Sequence, residues 1–224
     1  MQTIAVVDYG MGNIHSVTKA LERVAENAAI KVTDRPADVL EADRVLFPGV
    51  GAIRDCMIAL REKALDKALE QAIDQGKPVL AICVGLQALM RHSEENNGVD
   101  CMGVLPGQVY GFQKRFDETG EHDDQGQKLK VPHMGWSQVE QKQAHPMWEG
   151  IPQGSRFYFV HSYFAQLDES AQNNQDLIAA TTDYGVTFVA AACRGNLFAT
   201  QFHPEKSQRW GLQLLENFTR WNGN

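Results

Sequence analysis

The chain predicts an α/β fold: an open, mostly parallel sheet flanked by helices, with additional antiparallel strands in its C-terminal half. Three observations carry that expectation. Short apolar runs at residues 3–8, 45–47 and 78–83 alternate with stretches of helical spacing, the order of a β-α-β-α-β-α-β series. The runs are unbroken rather than alternating, as strands buried on both faces are. Several of them end in a glycine-containing turn, at the sheet edge where such folds bind ligands.

In order, residues 3–8 read as a buried parallel strand, and residues 9–13 as its loop. Ile14, Val17, Ala20, Leu21 and Val24 then recur at helical spacing. Gly10-Met11-Gly12 suggests a dinucleotide fingerprint with Asp34 as the ribose acid, but His15 stands where the third glycine is needed, and the reading fails. Residues 29–32 form a second strand, 36–42 a short helix, and 45–47 a third strand that runs into Pro48-Gly49-Val50-Gly51. Residues 52–75 read as one helix, stopped by Gly76-Lys77-Pro78. The next strand ends at Cys83.

Beyond Met90 the pattern changes. Residues 109–112 and 129–131 read as short strands around a polar loop, 117–127, where His122 beside Asp123 and Asp124 is too sparse a set for a metal. Residues 157–160 form a strand leading to His161-Ser162-Tyr163. Residues 189–193 and 197–202 form a hairpin about Arg194-Gly195-Asn196, and it runs into His203-Pro204-Glu205. A last helix carries Trp210, Leu214, Phe218 and Trp221 on one face. No repeat or linker interrupts the series, so residues 1–224 are expected to form a single domain.

Composition narrows the function. With 43% hydrophobic residues an ordinary two-layer core is available. A net charge of −7 without a basic tract argues against nucleic acid or an anionic membrane as partner. No apolar run approaches a membrane span, and Met1-Gln2-Thr3 leads directly into a strand rather than a signal peptide. The four cysteines lack any Cys-x-x-Cys spacing, which speaks against a zinc knuckle, redox pair or disulfide framework and for a cytoplasmic location. Neither a metal nor a cofactor is expected.

Two segments carry chemistry. Around Cys83-Val84-Gly85 a strand, a tight turn and a helix follow one another, the layout of a nucleophile elbow with Cys in the place of Ser. Such a turn exposes the sulfur, and the helix N-terminus behind it favours thiolate and oxyanion. The plainer reading is a buried strand cysteine, which is usually inert. His203 and Glu205 are two residues apart. If the backbone stays extended through Pro204, both side chains point the same way, and the carboxylate can orient the imidazole as acid and base toward a cysteine. The plainer reading there is a surface pair.

The motifs together carry a resemblance. Cys83-Val84-Gly85-Leu86-Gln87 with Gln201-Phe202-His203-Pro204-Glu205 resembles the class I (triad) glutamine amidotransferases, whose fold is a flavodoxin-like α/β sheet. Asp8-Tyr9-Gly10-Met11-Gly12-Asn13, Pro48-Gly49-Val50-Gly51, Pro132-His133-Met134-Gly135-Trp136 and Tyr158-Phe159-Val160-His161-Ser162-Tyr163 narrow it to the glutaminase subunits of imidazole glycerol phosphate synthases. Ala81, Ile53 and Ser137 depart from the usual Gly, Phe and Asn of that family.

The resemblance implies glutamine hydrolysis by Cys83, His203 and Glu205, with an oxyanion hole from Val84 and the Gly49-Val50-Gly51 loop. It implies substrate contacts at Gln87, Glu95, Ser162 and Tyr163. It also implies a separate (β/α)8-barrel cyclase as heterodimer partner, meeting Asn13, Trp136, Tyr158 and Lys206 and using the ammonia in histidine biosynthesis. A peptide of the 49–51 loop is expected to rotate before catalysis, eased by glycine on both sides. Three other readings compete: a subunit of another amidotransferase, of anthranilate or pyridoxal phosphate type; a stand-alone thiol hydrolase; and a non-catalytic module.

Overall fold

The computed structural model describes residues 1–120, 128–168 and 175–224. Its first half comprises β1 (Gln2–Val7), α1 (Ile14–Val24), β2 (Ala28–Thr33), α2 (Pro36–Glu41), β3 (Arg44–Gly49), α3 (Ile53–Glu62), α4 (Leu65–Asp74), β4 (Val79–Cys83) and α5 (Val84–Ala88). Next come β5 (His92–Ser93), β6 (Val99–Asp100), β7 (Gly107–Gly111), α6 (Phe112–Thr119), β8 (His133–Gln138) and β9 (Glu140–Gln141). β10 (Arg156–His161), β11 (Tyr163–Leu167), β12 (Ile178–Asp183), β13 (Thr187–Arg194), β14 (Leu197–Thr200) and α7 (Gln208–Arg220) complete the chain.

The main sheet has the order β2-β1-β3-β4-β14-β13-β12-β9. β1 to β4 and β14 run parallel, while β12, β13 and β9 add an antiparallel wing. The two smaller sheets, β10-β8 and β11-β7-β5-β6, lie in the C-terminal half and around its start. Every residue of β3 and β4 is buried, because neighbours close both edges of each strand and helices cover the faces. α1 packs against α7, and α2 and α3 against α4, the grouping on opposite faces that right-handed crossovers between parallel strands produce.

The expected single helix over 52–75 is two helices. Ile53, Cys56, Met57 and Leu60 line the buried face of α3, and Leu65, Ala68, Leu69 and Ala72 that of α4. The step from Leu60 to Leu65 is five residues, one more than helical spacing allows, and Ala64 takes it up in a left-handed conformation (φ 53°).

The strand expected at 129–131 lies later, at β8. Its inward positions are His133, Gly135 and Ser137, so it lacks the apolar alternation by which strands are read. Residues 117–119 belong to α6 rather than to a loop, and His122, Asp123 and Asp124 lie outside the described residues. β14 stops at Thr200, and Gln201 and Phe202 already leave the sheet. α7 turns Leu214, Leu215 and Phe218 inward; Trp210 is half-buried, and the buried Trp221 caps the helix rather than continuing its face.

Candidate active site

The elbow forms at the join of β4 and α5. Cys83 sits at φ 55°, ψ −107°, a strained conformation for a residue with a side chain, of the kind that persists where the surroundings over-determine it. Two close contacts supply that determination. A Cβ on Gly85 would lie 2.5 Å from the carbonyl oxygen of Phe47, and one on Gly49 would lie 2.6 Å from the amide nitrogen of Gly85. Both glycines let the backbones of β3 and the elbow touch. Ala81, in place of the family's usual glycine, is fully buried within β4 and has no positive φ, so it leaves the turn intact.

Parallel pairing sets Gly49 opposite Cys83, and Val50 and Gly51 therefore emerge beside the sulfur. Gly49 is needed for close approach besides any part in the expected rotation, and proline there would collide with Val84 and Gly85 whatever the loop does. Left-handed freedom belongs to Gly51, at φ 91° with only the Met11 sulfur 4.0 Å from a Cβ.

His203 arrives from the other side. β14 runs parallel to β4 with Thr200 opposite Ile82, so the chain leaves the sheet next to Cys83. The backbone does not stay extended through Pro204, as the sequence reading supposed. Pro204–Lys206 is a single 3₁₀ turn, which proline favours at its first position. The turn folds Glu205 back onto the ring, and His203 Nδ1 meets Glu205 Oε1 at 2.9 Å with only 2% of either side chain exposed. β10 fixes the segment: the His203 N–H donates to the Tyr158 carbonyl (2.9 Å), and Ser207 Oγ donates to the His203 carbonyl (2.6 Å).

The remaining ring nitrogen, Nε2, is buried and faces the Cys83 sulfur. Burial works against a charged His203, but the Cys83 sulfur and the Glu205 carboxylate outweigh it and lift the imidazole to about 10. An imidazolium held between the Cys83 sulfur and the Glu205 side chain can protonate a leaving amine and then take a proton from water.

A cavity of about 610 Å³ opens over Cys83. Val50, Gly51, Val84, Gln87, Glu95, Ser162, Tyr163 and His203 line it, together with Asn13 and Lys206 at its mouth. Gly49 and Glu205 stand behind it, and Trp136 and Tyr158 lie outside it. Gln87 is buried; its Nε2 donates to the Tyr163 carbonyl (2.9 Å) and to Gln201 Oε1 (3.1 Å). Glu95 is half-buried and accepts from the Ile53 N–H (3.2 Å); burial holds its carboxyl above the usual range. Asn13 stands at the start of α1 without capping it through its side chain, and Lys206 is exposed. Trp136 is 40% exposed and packs edge-on against Tyr158 at 6.0 Å.

Sequence reasoning assigned no role to Gln201, His133 or His161. Gln201 Nε2 reaches Cys83 Sγ at 3.6 Å, and its position at a strand tip, two residues before His203, was the available signal. Among the described residues no group of three or more His, Cys, Asp or Glu is arranged for a metal.

This set of a thiol, an imidazole, a carboxylate and backbone N–H groups at one strand edge suits acyl transfer from an amide. The family model for class-I glutamine amidotransferases matches residues 5–221. Proteins named imidazole glycerol phosphate synthase subunit HisH 1 from Pseudomonas aeruginosa and subunit HisH from Nitrosococcus oceani are each 54% identical, covering 100% of this chain and 99% of their own. In fold the chain resembles the PurLQS structure from Thermotoga maritima, with a TM-score of 0.68 at 17% identity, covering 98% of both chains. A structure titled glutamine amidotransferase gives 0.68 at 16% identity, with 99% of both covered. The chain belongs to the class-I glutamine amidotransferase family and, within it, to the HisH subunits of imidazole glycerol phosphate synthase.

Proposed function

We propose that this chain hydrolyses glutamine to glutamate and ammonia and delivers the ammonia to a cyclase subunit in histidine biosynthesis. One observation carries the reading: Cys83 and His203, from distant parts of the chain, line one cavity in a protein 54% identical to HisH subunits. Cys83 as thiolate attacks the side-chain carboxamide carbon of glutamine. The oxyanion that forms is met by the Val84 N–H and by an N–H of the 49–51 loop, donors that supply about 3 kcal/mol each when well aimed. His203 protonates the departing ammonia, then activates water against the γ-glutamyl thioester, with Glu205 keeping the ring in register.

The substrate's α-ammonium suits the Glu95 carboxylate, and its α-carboxylate the backbone around Ser162 and Tyr163, with Gln87 at the bottom of the cavity. The rotation expected of the 49–51 loop is eased at Gly51, where a positive φ and open space permit it.

Met134 and Trp136 expose apolar side chains from one face of β8, 61% and 40% respectively. Tyr158 packs beside Trp136, and Asn13 and Lys206 stand at the cavity mouth, so a partner seated on this face would cap the cavity and receive ammonia before water protonates it. That partner is a (β/α)8-barrel cyclase in a heterodimer. No helix among the described residues is long and apolar enough to cross a membrane.

The test measures glutamine hydrolysis by the chain alone, with a cyclase barrel, and with barrel plus the phosphoribulosyl formimino carboxamide nucleotide. Hydrolysis should rise sharply only in the third case. Full turnover by the isolated chain would favour a stand-alone hydrolase.

A further inference from the structure

His133 and His161 lie in a cage of aromatic rings. Tyr184 stacks on His133 at 4.1 Å, and Phe112 and Phe188 meet His161 edge-on at 5.2 Å each. The reaction described above uses neither imidazole, yet both are buried. His161 Nδ1 lies 2.7 Å from the Tyr163 carbonyl, which only accepts, so Nδ1 carries the proton and Nε2 is an acceptor. His133 Nδ1 lies 3.0 Å from that Nε2 and must donate to it. His133 Nε2 is left as an acceptor for the Ser137 hydroxyl at 2.8 Å. Burial favours the neutral form of both rings, and in that form these partners confine each to one tautomer. Burial lowers His133 to about 4 and, as the largest cause, His161 to about 3, against a smaller upward effect of the Tyr163 carbonyl.

The chain continues beyond Tyr163. Its carbonyl also accepts from Gln87 Nε2 (2.9 Å), which donates in turn to Gln201 Oε1 (3.1 Å). That bond fixes the Gln201 amide so that its Nε2 points at the Cys83 sulfur, 3.6 Å away. Gln201 is fully buried, so no water competes for that N–H. Both arms donate into the Tyr163 carbonyl, and with neutral rings a reversed tautomer at either histidine sets two donors or two acceptors face to face.

We propose that Ser137, His133, His161, Gln87 and Gln201 form a hydrogen-bonded chain, its two arms meeting at the Tyr163 carbonyl, that holds the Cys83 sulfur in place, with Gln201 as the residue that touches it and the histidine pair as positioning residues. The chain begins on β8, next to the exposed Met134 and Trp136, and ends at the nucleophile. It rests on the reading of Cys83 as nucleophile given above.

The test is alkylation of Cys83 in the full-length chain by iodoacetamide across pH, with the modified cysteine identified by peptide mass. Burial pushes the Cys56 thiol up to about 12, and those of Cys101 and Cys193 up to about 11, so they react far more slowly. Gln201→Met keeps the volume and removes the donor. It should slow Cys83 alkylation at neutral pH about tenfold and move the rise of rate to higher pH, the scale of one hydrogen bond to a charged group. Gln201→Leu reports the same contact should the methionine variant fail to fold. His161→Phe fills the aromatic cage without either nitrogen and should slow alkylation threefold or more. His161→Gln, which keeps one donor and one acceptor, should restore over half of the loss.

A pH profile of alkylation unchanged in Gln201→Met (or in Gln201→Leu if that variant stands in), or in His161→Phe, overturns the proposal. So does a glutamine variant no better than phenylalanine. Because the readout is alkylation rather than glutamine turnover, it fails independently of the proposed activity.

Discussion

Glu205→Gln tests the carboxylate behind the imidazole. The pair meets at 2.9 Å with 2% of each side chain exposed, so water neither screens nor replaces it. The amide can still accept from Nδ1, so the variant loses charge rather than shape. A charge-assisted hydrogen bond in a buried site is worth roughly twice a neutral one, and breaking a buried pair costs several kcal/mol; the charge alone is worth about 2–3 kcal/mol here. At 1.36 kcal/mol per decade, kcat for glutamine should fall roughly 30- to 150-fold with KM little changed, because Glu205 does not line the cavity. The assay is glutamate release in the complex with cyclase barrel and nucleotide.

The same contact has a stability signature. Against burial, the Cys83 sulfur first and Glu205 second raise His203 from 6.5 to about 10 in the folded chain, and the Glu205 share of that rise, like any rise on folding, stabilises most below the unfolded value. That stabilisation is lost as pH climbs from about 6.5 through about 10. The difference in Tm between wild type and Glu205→Gln should therefore be largest below pH 6.5 and shrink toward pH 10. A kcat within threefold of wild type, or a Tm gap that widens with pH, would refute the reasoning.

Three further outcomes follow from the same geometry. Cys83→Ala should abolish hydrolysis and leave the fold, and the His203 ring, losing its strongest upward influence, should titrate at lower pH by NMR. Gly49→Ala should cost about 1–3 kcal/mol in urea unfolding, because its methyl would meet Val84 Cβ at 2.8 Å and the Gly85 nitrogen at 2.6 Å; hydrolysis should fall with it. Glu95→Gln should raise KM for glutamine about tenfold with kcat nearly unchanged, the loss of one charge-assisted contact to an α-ammonium.

The parallel half of the fold was legible because its strands are buried on both faces and so write themselves as apolar runs. Val45-Leu46-Phe47 and the run into Cys83 are such strands. β8 was not legible, because its inward positions, the buried His133 and the half-buried Gly135 and Ser137, are a polar and small set that no hydropathy period reveals. The break at Ala64 was written in the five-residue step from Leu60 to Leu65, yet composition on both sides favours helix. At the site, the elbow could be read locally because strand, turn and helix are contiguous. The pairing of His203 with Glu205 was anticipated for a mistaken reason: a 3₁₀ turn at Pro204, not an extended backbone, brings them together. Gln201 escaped notice because its task depends on a neighbour 118 positions away.

Sheet order explains how such distant pieces meet at all. Cys83 ends β4, which sits between β3 and β14 in the main sheet, and all three run the same way. Their C-terminal ends therefore share one edge, and whatever follows each strand must emerge there. After β3 comes the Gly49–Gly51 loop, after β4 the elbow, and after β14 Gln201 and His203. Had β14 entered the sheet antiparallel to β4, as it does to β13, His203 would lie at the opposite edge, about five residues of extended strand, or roughly 17 Å, from the sulfur. The strain at Cys83 is of order 1–3 kcal/mol and is borne by strands hydrogen-bonded on both sides. The catalytic arrangement is thus a property of strand direction first and of side chains second, and substitutions in β3 or β14 that slip their register against β4 should damage activity as severely as substitutions at the site itself.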